Sequence, residues 1–135
     1  MEPGLDHVGL SVADLDAAAR FYAAAFGFAS ELEFQLPEGI RGAMLRHPGG
    51  MRLELFQHPA ARPGILAGNP LEALGTRGYG HFALAAGDIA PMYAGAVAAG
   101  ARPVAEPGPS PEPGVRFAFL ADPEGNLVEL VEREQ

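Results

Sequence analysis

The chain repeats itself once, with a period of about 75 residues, and this duplication constrains its fold more than any other feature. His7 and Glu54 in the first half recur as His81 and Glu129, which lie 74 and 75 residues further along. Chance rarely places metal-ligand residue types at the same phase of two copies. Because imidazole and carboxylate suit a divalent cation, we interpret the four residues as one metal site between the two halves.

Composition argues against several classes of function. The net charge of −8 argues against a nucleic-acid partner, because phosphate binding needs a basic surface. The chain has no cysteine and all nine basic residues are arginine, which excludes thiolate ligands, a cysteine nucleophile and Schiff-base catalysis. No apolar run approaches the roughly 20 residues of a membrane span, and the N-terminus lacks signal-peptide features. We therefore expect a cytoplasmic protein with no membrane partner and a single domain over residues 1–135.

The first half predicts a βαβββ unit over about residues 5–57. An alternating, half-buried strand comes first. A helix follows, with Asp14 as its N-cap and Gly27 as its stop. The predicted segments are a strand over 5–12, a helix over 15–26 and strands over 28–36, 42–47 and 51–57.

The same pattern restarts after a connection over residues 58–78 that is rich in proline and glycine. A connection of this length in a small domain is often functional. The Pro-rich stretch over 106–114 predicts a further loop. The predicted segments are a short helical turn over 71–74, a strand over 79–86, a helix over 89–99 and strands over 103–106, 115–120 and 126–132. The second module therefore spans about 79–132, and the fold class is α+β.

Strand phase places all four candidate ligands on one side. Side chains alternate across a strand, and the apolar neighbours of each candidate form the opposite, helix-facing set. A lone His or Glu on such a face is ordinarily a solvated polar residue, but four in a repeat frame favour a metal or catalytic cluster. Glu54 and Glu129 facing one cavity would also repel each other without a cation between them.

Several motifs together resemble the vicinal oxygen chelate superfamily, which includes glyoxalase I, methylmalonyl-CoA epimerase, extradiol dioxygenases and bleomycin- or fosfomycin-resistance proteins. The resemblance implies two βαβββ modules that form a curved mixed-sheet cup around one metal. It also implies a homodimer with metal sites at or near the interface, since many short members pair two chains. The motifs are Asp6-His7-Val8-Gly9-Leu10-Ser11-Val12, Phe26-Gly27-Phe28, Leu53-Glu54-Leu55, Gly80-His81-Phe82-Ala83-Leu84 and Asp122-Pro123-Glu124-Gly125-Asn126 leading to Val128-Glu129-Leu130.

The resemblance also implies an activity. Glu54 stands where glyoxalase I and epimerase-type members have an additional metal ligand. We therefore expect a metal-dependent lyase or isomerase that moves a proton next to the carbonyl of a small-molecule substrate through a metal-stabilised enediolate. By resemblance Glu129 is the base and Glu54 its counterpart across the metal. The implied cofactor is one divalent ion per site, with nickel, zinc, cobalt or manganese favoured over iron.

Glu38 is a further catalytic candidate. It lies 16 residues before Glu54, in a stretch similar to the one that carries a catalytic glutamate in methylmalonyl-CoA epimerases. Flanked by Pro37 and Gly39, it also reads as a plain turn residue. Two other functions stay open, an extradiol-type dioxygenase and a non-catalytic small-molecule (antibiotic) binding protein.

Overall fold

The computed structural model describes residues 2–134, which form two four-stranded mixed sheets and three α-helices. The chain divides into two compact units. Unit 1 ends at Pro63 and unit 2 begins at Gly64. Each unit has a βαβββ core, so the predicted α+β class and the two modules are confirmed. None of the helices in the described part of the chain is long and apolar enough to cross a bilayer.

The elements of unit 1 are β1 (His7–Ser11), α1 (Leu15–Phe26), β2 (Ala29–Leu36), β3 (Ile40–Arg46) and β4 (Arg52–Gln57). The strands form a sheet in the order β1-β4-β3-β2, with α1 packed on one face. β1 and β4 run parallel, because α1, β2 and β3 bring the chain back to the end of the sheet at which β1 starts. The other strand pairs are antiparallel.

Helix α1 has the bounds that its sequence predicts. The Asp14 carboxylate accepts a hydrogen bond from the Ala17 N–H at 3.0 Å, and Gly27 ends the helix in the left-handed conformation with φ of 82°. The apolar side of α1 includes Tyr22, which is fully buried, as are Leu53 and Leu55 of β4. The core of unit 1 therefore lies on the helix side of its sheet.

The elements of unit 2 are α2 (Pro70–Ala73), β5 (Phe82–Ala85), α3 (Ile89–Ala98), β6 (Arg102–Pro109), β7 (Val115–Ala121) and β8 (Leu127–Arg133). Its sheet repeats the arrangement of unit 1 in the order β5-β8-β7-β6, with β5 parallel to β8. Its core likewise lies between α3 and the sheet, where Ile89, Leu120, Val128 and Leu130 are fully buried.

Two strands of unit 2, β5 and β6, differ from the sequence prediction by more than one residue at an end. β6 continues to Pro109, through residues predicted to be a loop. Proline lacks the N–H of a ladder bond, but β6 is an edge strand, where proline is tolerated, and its pairing with β7 is shifted twice. β5 begins at Phe82 rather than at residue 79, and its pairing with β8 starts opposite Val128, near the start of that strand.

Each unit closes the start of its helix with a side chain from its last strand. Gln57 Oε1 accepts a hydrogen bond from the Leu15 N–H at 2.8 Å. In unit 2, Glu132 Oε2 accepts one from the Ile89 N–H at 3.0 Å. These side chains satisfy backbone donors that have no partner inside a helix. The duplication therefore preserves a helix cap as well as strand order.

Glu38 lies in the turn between β2 and β3 with φ of 67°, in the left-handed region that favours glycine. We expect Glu38→Gly to raise the free energy of unfolding by up to about 1 kcal/mol, because it removes this strain. The matched control is Glu33→Gly in the middle of β2, which should lower it by roughly 0.5–1 kcal/mol. Urea unfolding monitored by circular dichroism measures both. An equal loss in the two variants would mean that the Glu38 side chain makes stabilising contacts that offset the strain.

Candidate metal centre

The first His–Glu pair lies on the sheet of unit 1, on the face opposite α1. β1 and β4 pair with Gly9 opposite Glu54, so strand alternation brings His7 and Glu54 to the same face. His7 Nε2 lies 3.4 Å from Glu54 Oε1. Leu53 and Leu55, on either side of Glu54 in the sequence, point the other way and are fully buried. Burial of these neighbours therefore fixes the direction of the carboxylate.

The second pair has the same geometry in unit 2. Ala83 of β5 lies opposite Glu129 of β8, and His81 comes just before β5. His81 Nε2 lies 3.2 Å from Glu129 Oε1. The neighbours of Glu129, Val128 and Leu130, are fully buried on the helix side. Each unit thus presents one imidazole nitrogen and one carboxylate side by side.

His7 has a further partner that the sequence analysis missed. Its Nδ1 lies 2.7 Å from Oδ2 of Asp6. This hydrogen bond is the largest influence on both groups: it raises the pKa of His7 and lowers the pKa of Asp6. Glu54 adds a smaller upward effect on the pKa of His7. Because both groups are exposed, solvent screens these effects. The adjacency of Asp6 to His7 was the signal available in the sequence.

His81 has a different environment. Gly80 occupies the place of Asp6 and offers no carboxylate. The ring of Phe119 lies edge-on to the His81 ring, with centroids 4.9 Å apart. Phe119 also lies opposite Glu129 in the pairing of β7 with β8, and only 4% of its surface is exposed. The second pair is therefore set against an apolar wall.

Aromatic residues also adjoin the first pair. Phe34, Gly42 and Phe56 lie opposite one another across β2, β3 and β4, on the same face as Glu54. The rings of Phe34 and Phe56 meet edge-to-face with centroids 5.9 Å apart. A side chain at Gly42 would collide with the Phe34 ring, so glycine allows that ring to cover β3. The result is an aromatic shelf, Phe34 and Phe56 over Gly42.

A cavity of about 670 Å³ opens at the end of β1 and after β4 in unit 1. Ser11 lies opposite Phe56 in the strand pairing, so it joins the cavity to the face that carries Glu54. Arg62 gives the cavity a positive charge. The lining residues are Ser11, His58, Ala60, Ala61, Arg62 and Pro63.

The remaining candidates lie outside the two pairs. Glu38 is in the β2–β3 turn, close to Pro59: a Cβ placed on Gly39 would come within 3.7 Å of the Pro59 side chain. Two further histidines act in turns. His47 Nδ1 accepts a hydrogen bond from the Gly49 N–H at 2.9 Å, and His58 Nδ1 accepts one from the Ala60 N–H at 2.9 Å.

The donor set of each pair fits half of a divalent-metal site. Within residues 2–134 no group of three or more His, Asp or Glu side chains is arranged to hold an ion. Each pair nevertheless brings a ring nitrogen and a carboxylate oxygen to one point of a sheet face. Two such pairs would supply four nitrogen and oxygen donors, a set that suits zinc, nickel, cobalt or manganese.

The fold and the paired side chains define a class of proteins with duplicated βαβββ modules. The sequence profile of the Glyoxalase/Bleomycin resistance protein/Dioxygenase superfamily matches residues 4–130. The chain therefore belongs to this superfamily.

Curated relatives carry one enzyme name. Lactoylglutathione lyase GLX1 of Arabidopsis thaliana is 29% identical over 94% of this chain and 43% of its own length. A Brassica oleracea var. gemmifera protein provisionally given the same enzyme name is 30% identical over the same shares. The chain thus spans less than half the length of the curated relatives it matches.

Solved structures share the fold. Glyoxalase I from Zea mays matches with a TM-score of 0.75 and 25% identity, over 96% of this chain and 44% of that one. A glyoxylase/bleomycin resistance protein/dioxygenase domain from Frankia sp. EAN1pec matches with a TM-score of 0.81, over 99% of this chain and all of that one. Its identity of 18% shows a common fold alone.

Proposed function

We propose that the protein is a metal-dependent lyase or isomerase of the glyoxalase I or epimerase type, which transfers a proton at the carbon next to a carbonyl. The observation that carries the proposal is the pair of His–Glu contacts at equivalent positions of the repeat, 3.4 Å in unit 1 and 3.2 Å in unit 2. The lactoylglutathione lyase relatives support the reaction class. They suggest as substrate class the hemithioacetal of a thiol and a 2-oxoaldehyde, which isomerises to a 2-hydroxy thioester.

The metal would be held by His7, Glu54, His81 and Glu129. When bound, a divalent ion polarises the substrate carbonyl and makes the neighbouring C–H more acidic. Nickel, zinc, cobalt and manganese suit these donors better than calcium, which prefers a larger number of oxygen ligands.

Glu129 is the proposed base. It would take the proton from the hemithioacetal carbon and deliver it to the neighbouring carbonyl carbon, while the hydroxyl proton passes to the former carbonyl oxygen. The isomerisation therefore needs no external oxidant or reductant. A positioned carboxylate is well suited to this transfer. Phe119, buried opposite Glu129 in the strand pairing, would exclude water from the carboxylate. Glu54 would be the counterpart of Glu129 across the metal.

Glu38 enters the proposal for an epimerase-type reaction. Its turn lies beside Pro59, and the cavity lined by Ser11 and Arg62 begins at the next residue, Ala60. A substrate that extends from Glu54 toward this cavity would approach the turn. Glu38→Gln, which keeps the length of the side chain, should then slow turnover of an epimerase substrate and leave hemithioacetal isomerisation unchanged.

We further propose that two copies of the chain assemble into a homodimer with metal sites at or near their interface. Each unit supplies two donors, so a site with four protein donors needs two units, and these can come from one chain or from two. The maize enzyme chain is more than twice as long as this one, so two copies would match its length.

The direct test measures metal and turnover together. Protein purified without chelator is analysed for bound metal, reconstituted separately with nickel, zinc, cobalt and manganese, and assayed with hemithioacetals of methylglyoxal and phenylglyoxal. We expect about one ion per site and thioester formation. Oxygen consumption with ferrous iron and a catechol would instead identify a dioxygenase. Tight binding of a small molecule without turnover in the metal-loaded protein would identify a binding protein.

A further inference from the structure

The two histidines of the repeat differ in what holds their rings. Both ring nitrogens of His7 have carboxylate neighbours: Nδ1 faces Asp6 at 2.7 Å, and Nε2 faces Glu54 at 3.4 Å. Among residues 2–134, His81 has a carboxylate neighbour only at Nε2, in Glu129. The position equivalent to Asp6 is Gly80, which has no side chain.

The carboxylate of Asp6 decides which nitrogen of His7 carries the proton. A carboxylate accepts a hydrogen bond, so the neutral ring bonded to Asp6 bears its proton on Nδ1 and its lone pair on Nε2. That lone pair points to the side of Glu54, where a cation would sit. The bond also holds the ring orientation and makes Nε2 a stronger donor.

The contact with the Phe119 ring constrains His81 less than the hydrogen bond to Asp6 constrains His7. An edge-on aromatic contact at 4.9 Å restricts rotation of the imidazole. It offers no strong acceptor, so it does not select between the two neutral forms of the ring. His81 must therefore adopt its metal-binding form at a free-energy cost that His7 avoids.

We propose that Asp6 is a positioning residue that makes the His7–Glu54 pair the stronger half of the metal site. The inference rests on the proposed function, because it concerns affinity for the proposed ion. The His81–Glu129 pair is then the weaker half. A carboxylate in the weaker half is released more readily, which suits the base role of Glu129.

Affinity for Zn²⁺, measured by competition with a chromophoric chelator, tests the proposal. Asp6→Asn should weaken binding about 10–100-fold, the usual effect of losing such an outer partner. Asp16→Asn is the matched control. It removes one exposed carboxylate from the same unit, where Asp16 pairs with Arg41 at 3.0 Å, and should leave affinity unchanged. Thermal unfolding by circular dichroism verifies that both variants fold.

The repeat supplies the reverse experiment. Apart from its two chain neighbours, no described residue would have a heavy atom within 4 Å of a Cβ at Gly80, so an aspartate side chain can be accommodated there. In the Asp6→Asn background, Gly80→Asp should recover part of the lost affinity. Nitrogen chemical shifts of His7 provide a readout that a merely structural role would not move: they should report the proton on Nδ1 in the wild type and a mixture of forms in Asp6→Asn.

The outcomes separate this inference from the proposed function. Wild-type binding with equal affinity in Asp6→Asn overturns the positioning role and leaves the metal site intact. Absence of Zn²⁺ binding in the wild type overturns the proposed function and the inference together. Weaker binding in Asp6→Asn without a change in the ring form of His7 also overturns the positioning role, because a general charge effect would then account for the loss.

Discussion

Glu129→Gln should lose about 10²–10⁴-fold in kcat, the usual contribution of a positioned acid–base group, while the protein still binds its metal. The amide oxygen of glutamine can remain a ligand, but it cannot take a proton from carbon at neutral pH. Metal content and steady-state kinetics on a hemithioacetal substrate measure the two effects separately.

The control for Glu129→Gln is Glu132→Gln on the same strand. Glu132 lies three residues further along β8 and caps α3 by accepting from the Ile89 N–H. Glutamine preserves this cap, because Gln57 performs the same task for α1 with its amide oxygen. We expect full activity in the control. Undiminished turnover in Glu129→Gln would eliminate Glu129 as the base.

His7→Ala should lower metal affinity by more than about 100-fold, since losing an outer partner of a ligand alone costs roughly 10–100-fold. His81→Ala should also lower metal affinity, by a smaller factor, because His81 belongs to the weaker half of the site. His58→Asn is the control. It removes an imidazole that accepts a backbone hydrogen bond in a turn and lies outside both pairs. Competition with a chromophoric chelator measures all three affinities.

Mixing His7→Ala protein with His81→Ala protein tests whether one metal site takes its ligands from two chains. If His7–Glu54 comes from one chain and His81–Glu129 from its partner, half of the randomly exchanged dimers are mixed. Each mixed dimer regains one of its two sites, so about a quarter of wild-type capacity returns. If all four ligands come from the same chain, mixing restores none. Exchange is driven by mild denaturant and dilution, and native mass spectrometry counts the mixed dimers.

The order of helices and strands in each module could be predicted from the repeat, because the sequence signals for helix ends and strands agree with the tertiary structure. Asp14 and Gly27 bound α1 as expected, since a cap and a left-handed stop depend on neighbouring residues alone. β6 was harder to predict. Its prolines read as a loop, and the edge position that tolerates them depends on strand order, which local sequence does not encode.

Some features of the candidate site could likewise be predicted from the sequence, and others could not. Strand phase was enough to predict that His7 and Glu54 share a face, since burial of Leu53 and Leu55 decides it. The bond between Asp6 and His7 could not be deduced from phase, because it depends on the rotamers of two adjacent side chains. The left-handed backbone of Glu38 was also unexpected, since glutamate has no intrinsic preference for it.

The helix-capping side chains on β4 and β8 help to destabilise incorrectly paired forms of the duplicated unit. Glu54 and Gln57 are three residues apart on β4, so they point to opposite faces of one strand. A slip of one residue would turn the Glu54 carboxylate into the apolar core and withdraw the Gln57 oxygen from the start of α1. A one-residue shift in the pairing of β4 would thus destabilise the unit in two ways, by burying a carboxylate and by removing a helix cap. The correct alignment of the strand and the correct placement of the carboxylate are selected together during folding.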